Sequence, residues 1–154
     1  MKDMENVASF VNIVTAFDID ANSKEEAIEQ VINKLSESGK LVDREKFQKD
    51  VFGREAELPT YIGYGFGLPH SQSDFVKKAT IGIGKLRRPV VWTEDKEADF
   101  IFLIAVPHGG KENMHLKILA NLARLLMHED FREKLRSLPE KGVRELLRDS
   151  QNLS

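Results

Sequence analysis

The sequence of 154 residues contains no cysteine. A chain without thiols cannot form disulfide bonds, cannot use a thiolate as its nucleophile, and cannot hold zinc or an iron–sulfur cluster through cysteine. Histidine, hydroxyl, carboxylate and basic side chains are therefore the groups left for any chemistry.

Strong net charge and long apolar segments are also absent. The 23 lysines and arginines almost balance the 25 acidic residues, which leaves a net charge of −2 and argues against nucleic acid or anionic lipid as the main ligand. The longest apolar run, residues 100–107 (FIFLIAVP), is much shorter than the roughly 20 residues of a membrane-spanning helix. The first residues, MKDMENVASF, lack the apolar centre of a signal peptide. We expect a cytoplasmic protein that does not insert into the membrane.

What is present has the composition of a globular protein, with 41% apolar and 31% charged residues. The length suits one domain. We expect residues 1–154 to form a single domain with a core between about residues 10 and 148.

Periodicity predicts the order of elements as β-α-α-β-β-β-α-α-α. Residues 10–15 are typical of a strand, and a helix is expected after the capping box of Ser23 and Glu26, followed by a second helix over residues 43–52. Strands are expected within residues 53–70, over residues 80–86 and 90–92, and over residues 99–106, the last buried on both faces. Three helices follow over residues 113–127, 130–137 and 139–149. This order predicts an α/β fold with a mixed sheet between helical layers.

His70 is the histidine whose surroundings best suit chemistry. It follows residues 63–69 (GYGFGLP), and such a glycine-rich loop lets backbone N–H groups converge on an anion. A neutral imidazole beside that anion site could accept a phosphoryl group. The alternative is that the glycines form ordinary turns and that His70 is a surface histidine.

Arg54 and His115 are further candidates. The glycines and prolines of residues 53–70 exclude a regular helix, so we expect Arg54 to open a loop, where its guanidinium could bind phosphate oxygens. His115 is expected in the first turn of a helix, whose positive end favours a neutral imidazole and a nearby anion. Each also has a simpler interpretation, a solvated arginine and a histidine packed at a helix start.

A metal site is not expected. His108, Glu112 and His115 could suggest zinc, but the glycines at 109 and 110 interrupt the helical register that a metal-binding HExxH motif requires. We expect His108 to be an exposed loop residue, and we expect no metal and no cofactor.

Several short motifs together resemble a known family. They are Arg54-Glu55, Pro59-Thr60, Ile62-Gly63, Leu68-Pro69-His70, and His115-Leu116 at the start of a leucine-rich helix. Arg54 precedes His70 by sixteen residues, which fits the same family. The combination resembles the enzyme IIA domains of the bacterial phosphoenolpyruvate-dependent sugar phosphotransferase system, in the fructose/mannitol (type 2) class.

The resemblance implies a three-layer α/β/α sandwich in which His70 is phosphorylated. Arg54 and His115 would flank the phosphoryl group, and Thr60, Gly65 and Gly67 would add phosphate contacts. The donor would be the phosphocarrier protein HPr, and the acceptor a cognate IIB domain that serves a IIC membrane component. Nucleic acid is not among the implied partners.

Three functions stay open on the sequence. The first is a phosphocarrier in sugar uptake, and the second is a nitrogen-type regulatory protein whose His70 phosphorylation controls binding to target proteins. The third is a binding module that is never phosphorylated. Leu58, Tyr61, Tyr64 and Phe66 could form an apolar contact ring around the site, or they could fill the core.

Overall fold

The computed structural model describes residues 11–108 and 114–151. Their elements are β1 (Asn12–Ile19), α1 (Lys24–Glu37), α2 (Arg44–Glu57), β2 (Tyr61–Gly63), β3 (Phe66–Gly67), β4 (His70–Ser73), β5 (Thr80–Thr93), β6 (Lys96–Pro107), α3 (Met114–Leu126), α4 (Glu129–Ser137) and α5 (Glu140–Gln151). Within these two ranges no helix is both long and apolar enough to cross a bilayer.

The strands form one mixed sheet in the order β1-β5-β6-β3-β2, with β4 also paired to β6. Strand β6 is antiparallel to β5 and parallel to both β3 and β4, while β1 is parallel to β5. Strand β6 therefore has partners on both edges. The prediction of a central strand over residues 99–106 is confirmed.

Alternating side chains of β6 divide the interior into two cores. Ile101, Leu103 and Ala105 pack in the cluster that contains α1 and α2. Their neighbours, which point to the other face of the pleat, pack in the cluster that contains α3, α4 and α5. This arrangement is the three-layer α/β/α sandwich that the family resemblance implied.

Side-chain caps fix the starts of the first two helices. Ser23 Oγ accepts a hydrogen bond of 3.1 Å from the Glu26 N–H, and Glu26 in turn accepts one of 2.8 Å from the Asn22 N–H. Asp43 accepts from the Lys46 N–H at the start of α2. The helix that was predicted after Ser23 is thus confirmed together with its cap.

The predicted end of the second helix is wrong. Helix α2 continues past residue 52 through Gly53 to Glu57, so Arg54 lies in its last turn and does not open a loop. Gly53 has no atom within 4 Å of an ideal Cβ position, and glycine within a helix costs only about 1 kcal/mol relative to alanine. Burial of Phe47 and Val51 on the inner face offsets this cost.

The strand predictions also need correction. Five strands lie between α2 and the end of β6, and three of them fall within residues 53–73, because residues 61–67 form a small hairpin and His70 begins a paired strand. Residues 80–86 and 90–92 belong to one strand, β5, in which Pro89 occupies a shift of register between Lys85 and Val90. A bulge of this kind tolerates the missing N–H of proline. The first strand begins at Asn12, and Phe10 lies outside the described residues.

Close packing explains two glycines of the hairpin. An ideal Cβ at Gly67 would lie 2.5 Å from the Trp92 ring. Gly65 has a φ of +87°, and its ideal Cβ would lie 2.9 Å from both Asp99 Oδ1 and Arg136 Nη2. A side chain at either position would displace a neighbour in van der Waals contact with the backbone.

We predict that Gly67→Ala lowers the free energy of unfolding by about 1–3 kcal/mol, because the rigid indole of Trp92 must shift to admit the methyl group. Gly53→Ala is the matched control, and it should raise stability by about 0.5–1 kcal/mol because a helical glycine is replaced where space is open. Urea unfolding measures both. Equal stabilities of the two variants would contradict the steric explanation.

Candidate functional site

His70 is the first residue of β4, paired with Ile104 of β6, and it is only 4% exposed. Its Nδ1 lies 3.2 Å from the Leu68 carbonyl oxygen, and its Nε2 lies 3.3 Å from Arg54 Nη2. A carbonyl oxygen only accepts and a guanidinium only donates. Nδ1 therefore carries the proton, and Nε2 presents its lone pair to Arg54. The interpretation of His70 as a surface histidine is wrong.

Arg54 reaches His70 from the last turn of α2. Its side chain is partly exposed, and Nη1 lies 4.0 Å from Glu57 Oε1, at the limit of an ion pair. A guanidinium at Nε2 would stabilise negative charge on a group attached to that nitrogen.

His115 approaches His70 from the first turn of α3, as predicted. The two imidazole centroids are 6.3 Å apart, with 26° between the ring planes. Burial, followed by the nearby charges of His70, Arg54 and His108, lowers the pKa of His115 below its ordinary value. Its Nδ1 is buried, and the residues that the structure describes offer it no hydrogen-bond partner. His115 thus lies beside His70 in surroundings that disfavour its charged form.

Thr60 belongs to the site through its backbone. Its N–H donates to Glu55 Oε2 over 2.9 Å, and its carbonyl oxygen accepts from the Leu68 N–H and from Trp92 Nε1, each at 3.0 Å. These bonds hold the segment that leads to His70.

The structure does not bring Gly65 and Gly67 to the imidazole. Gly67 is paired with Ile101, whereas His70 is paired with Ile104, which is three residues or about 10 Å further along β6. Gly65 lies earlier still, with its carbonyl oxygen bonded to the N–H groups at the start of the buried part of β6. The phosphate contacts expected of these two glycines have no support in this geometry.

Of the four apolar residues that could form a contact ring or fill the core, two are exposed and two are not. Leu58 is 64% exposed and Tyr64 is 57% exposed. Phe66 is fully buried, and Tyr61 is half-buried with its hydroxyl bonded to the Glu97 carbonyl. The sequence did not single out the exposed Leu116, which follows His115.

His108 is exposed, as expected, and its Nδ1 lies 2.7 Å from Asp74 Oδ1. Across residues 11–108 and 114–151 no three His, Cys, Asp or Glu residues are grouped in a way that could hold a metal ion. Glu112, the middle residue of the zinc alternative, lies outside the described residues.

Glu55 is the residue whose structural role the sequence left unassigned. Its carboxylate is buried, 2.9 Å from Lys24 Nζ and 2.9 Å from the Thr60 N–H. The sequence offered one signal, an acidic residue directly after Arg54 in the motif. Its partner Lys24 lies far upstream, so spacing could not reveal the pair.

The family described as "Phosphoenolpyruvate-dependent sugar phosphotransferase system, EIIA 2" matches residues 10–149. The chain belongs to this family, the enzyme IIA components of the fructose/mannitol type, which are phosphotransferase-type proteins with a carrier role in the sugar phosphotransferase system.

Two curated relatives show the range of proteins that contain this domain. The chain is 39% identical over 115 residues to the fructose-specific EIIA component of Haloferax volcanii. This match covers 73% of the chain and 74% of that protein. It is 35% identical over 116 residues to multiphosphoryl transfer protein 2 of Escherichia coli, covering 75% of the chain but only 14% of that much longer protein.

Solved structures agree on the fold. The mannitol enzyme IIA of Escherichia coli superposes with a TM-score of 0.72 at 27% identity, covering 86% of the chain and 94% of that structure. The nitrogen regulatory protein IIA-Ntr of Neisseria meningitidis superposes with a TM-score of 0.73 at 24% identity, covering 96% and 98%. At this identity the second likeness concerns the fold alone.

We predict that His115 titrates below its ordinary pKa of 6.5. In the unfolded chain it binds a proton near that pH, so below pH 6.5 the unfolded state binds more protons than the folded state. The contribution of His115 to stability is therefore complete above pH 6.5 and is lost as the pH falls through its folded pKa. NMR titration of the imidazole measures the value.

The His70→Gln variant tests the electrostatic cause. Removing the neighbouring imidazole should move the pKa of His115 back toward its ordinary value, because His70 contributes to the lowering. Glu140→Gln on α5 is the control and should leave that pKa unchanged. A His115 that titrates at or above 6.5 in the wild type would show that burial does not dominate.

Proposed function

We propose that the chain is a cytoplasmic phosphocarrier, in which His70 accepts a phosphoryl group from phosphorylated HPr and passes it to a cognate IIB domain during sugar uptake. The observation that carries this proposal is the lone pair of His70 Nε2, which faces the Arg54 guanidinium while Nδ1–H is held by the Leu68 carbonyl. We also propose that residues 1–154 form a single domain.

The transfer needs an in-line attack and neutralisation of charge on the phosphoryl oxygens. The Nε2 lone pair attacks phosphorus, a new N–P bond forms, and the N–P bond to the donor histidine breaks with its electron pair returning to the donor. As positive charge develops on the His70 ring, its Nδ1–H bond to Leu68 strengthens. Arg54 moves from Nε2 to the phosphoryl oxygens, a change that its loose 3.3 Å contact permits.

His115 supports the same step. Among the described residues its buried Nδ1 has no hydrogen-bond partner, so when protonated this nitrogen can donate to a phosphoryl oxygen of the dianion. The dianion also favours protonation of His115, so the group that binds phosphate is created by the arrival of phosphate.

The phosphoryl group then passes on when a nucleophile of the IIB domain attacks phosphorus, and the N–P bond to His70 breaks with its electron pair returning to Nε2. A solved complex pairs the mannitol enzyme IIA of Escherichia coli with phosphorylated IIB, at 27% identity to this chain, which supports a IIB domain as the partner here. The exposed Leu58 and Leu116, close in sequence to Arg54 and His115, supply apolar contact area for transient docking.

The regulatory alternative uses the same histidine. Its support is the fold of the neisserial nitrogen regulatory protein, whereas the fructose-type relative is 39% identical. The observations therefore favour transport over regulation. Transfer from the phosphorylated chain to a fructose-type or mannitol-type IIB domain distinguishes the two, because a purely regulatory protein would retain its phosphate.

We predict that incubation with labelled phosphoenolpyruvate, enzyme I and HPr labels the wild type and that His70→Ala abolishes the label. Arg54→Gln should slow labelling by about 10- to 100-fold, because it removes a charge-assisted hydrogen bond worth about 1.5–3 kcal/mol. Glu140→Gln, remote from the site, is the control. Equal label on His70→Ala and wild type would refute the assignment of the phosphorylated residue.

We predict that the phosphoryl group is attached to Nε2 of His70, since Nδ1 already donates to Leu68. Nitrogen-15 and phosphorus-31 NMR of the phosphorylated protein, kept at alkaline pH to preserve the labile N–P bond, identifies the nitrogen. Phosphate on Nδ1 would show that the ring rotates before it reacts.

A further inference from the structure

The carboxylate of Glu55 takes no direct part in the proposed transfer, yet it is buried beside the site. Its side chain is 5% exposed, and that of Lys24 is 12% exposed. Burial of a charge is costly unless the charge is paired and hydrogen-bonded. Here one oxygen, Oε2, meets both Lys24 Nζ and the Thr60 N–H at 2.9 Å.

From Glu55 a series of hydrogen bonds leads to one nitrogen of His70. Thr60 donates its N–H to Glu55 and accepts, through its carbonyl, from the Leu68 N–H at 3.0 Å. The Leu68 carbonyl in turn accepts the Nδ1–H of His70 at 3.2 Å. These bonds fix the position of the Leu68 carbonyl, which is the acceptor for Nδ1–H.

The backbone of α2 links Glu55 to the other nitrogen of His70. Arg54 precedes Glu55, and its Nη2 lies 3.3 Å from His70 Nε2. The C-cap residue Leu58 adds one backbone bond of 3.3 Å, to the Arg54 carbonyl. The bond from the Thr60 N–H to the Glu55 carboxylate is a second contact that holds this helix end. The hydrogen bonds that run from Glu55 through Thr60 and Leu68 to His70 and on to Arg54 are closed by the peptide bond between Arg54 and Glu55. We call this closed set of bonds the His70 network.

Lys24 connects the His70 network to the rest of the fold. Its Nζ also donates to the Trp92 carbonyl at 3.1 Å and lies 4.7 Å from the centroid of the Trp92 ring. Trp92 Nε1 donates to the Thr60 carbonyl at 3.0 Å. Lys24 begins α1 and Trp92 lies in β5, so two further elements of the fold fix the position of Glu55.

We propose that the Lys24–Glu55 ion pair positions the reacting histidine. The Glu55 carboxylate fixes the Leu68 carbonyl, which accepts Nδ1–H of His70, and it also fixes the Arg54 guanidinium, which lies at Nε2. Glu55 and Lys24 are positioning residues, since neither touches the imidazole. The effect on transfer rate rests on the proposed function, whereas the effect on the His70 ring nitrogens does not.

The first measurement uses the unphosphorylated protein. Nitrogen-15 NMR of wild-type His70 should show one neutral tautomer with the proton on Nδ1. Glu55→Gln and Lys24→Met should populate the other tautomer, whereas Lys24→Arg, which keeps the charge, should restore the wild-type spectrum. Glu140→Gln, the same chemical change in a carboxylate that accepts from the Thr15 hydroxyl, is the matched control. A wild-type spectrum for both Glu55→Gln and Lys24→Met overturns the inference.

The second measurement is the rate of labelling from phosphorylated HPr. Glu55→Gln should lower kcat about tenfold with KM for HPr unchanged, because displaced reacting groups slow transfer without weakening docking. On an Arg54→Ala background the same change should cost clearly less than tenfold, because the part of the effect that acts through Arg54 is already lost and only the part through Leu68 remains. A full tenfold loss on that background overturns the inference.

A second variant serves as the control for loss of folding. If Glu55→Gln leaves Lys24 unpaired and the protein does not fold, Lys24→Met/Glu55→Gln removes both charges together and should show the same tautomer change and the same loss of kcat. Wild-type behaviour of that double variant overturns the inference. A wild type that takes no label overturns the proposed function, and the tautomer measurement then decides the positioning role alone.

Discussion

Burial of β6 on both faces is the constraint on which the rest of the structure depends. Residues from Phe100 to Val106 are at most 1% exposed, and their alternation assigns each neighbour to one of two cores. Every hydrogen-bonding group of such a strand must be paired. Parallel pairing with β4 on one edge satisfies that demand, and the same pairing places His70 opposite Ile104. The position of His70 is thus a consequence of the backbone hydrogen bonds that β6 makes with β4.

The site joins all three layers of the sandwich. Arg54 comes from α2 on one face of the sheet, His115 from α3 on the other, and His70 from the sheet itself. Side chains from separate layers keep a fixed geometry only if the layers are tied near the site. The bonds around Glu55 tie α1, α2 and β5 to the segment before His70.

Periodicity and capping in the sequence were enough to predict the helices and the central strand. Ser23 and Glu26 marked the first helix start, and the unbroken apolar run marked β6. The end of α2 was missed because Gly53 signals a loop, and nothing local reveals that the next turn is held by Lys24. Pro89 divided β5 for the same reason, since its bulge depends on pairing with β6.

The candidate residues were found, but their environments depended on distant neighbours. The sequence brought out Arg54, His70 and His115 as a set, and the structure places them together. It also suggested phosphate contacts for Gly65 and Gly67, whose close neighbours are instead Trp92, Asp99 and Arg136. A glycine gives the same local signal whether an anion or an indole ring occupies the space beside it. Only the partner in the fold distinguishes the two cases.

Electrostatics bears on how the site would both receive and release a phosphoryl group in the proposed transfer. The charge near Nε2 comes from Arg54, while the carboxylate of Glu55 is turned away onto Lys24 and does not neutralise it. Burial lowers the pKa of His115, and in the proposed transfer a proton that His115 gains with the dianion can be returned when the dianion leaves. The pocket thereby matches its charge to each state without a metal ion in the proposed transfer.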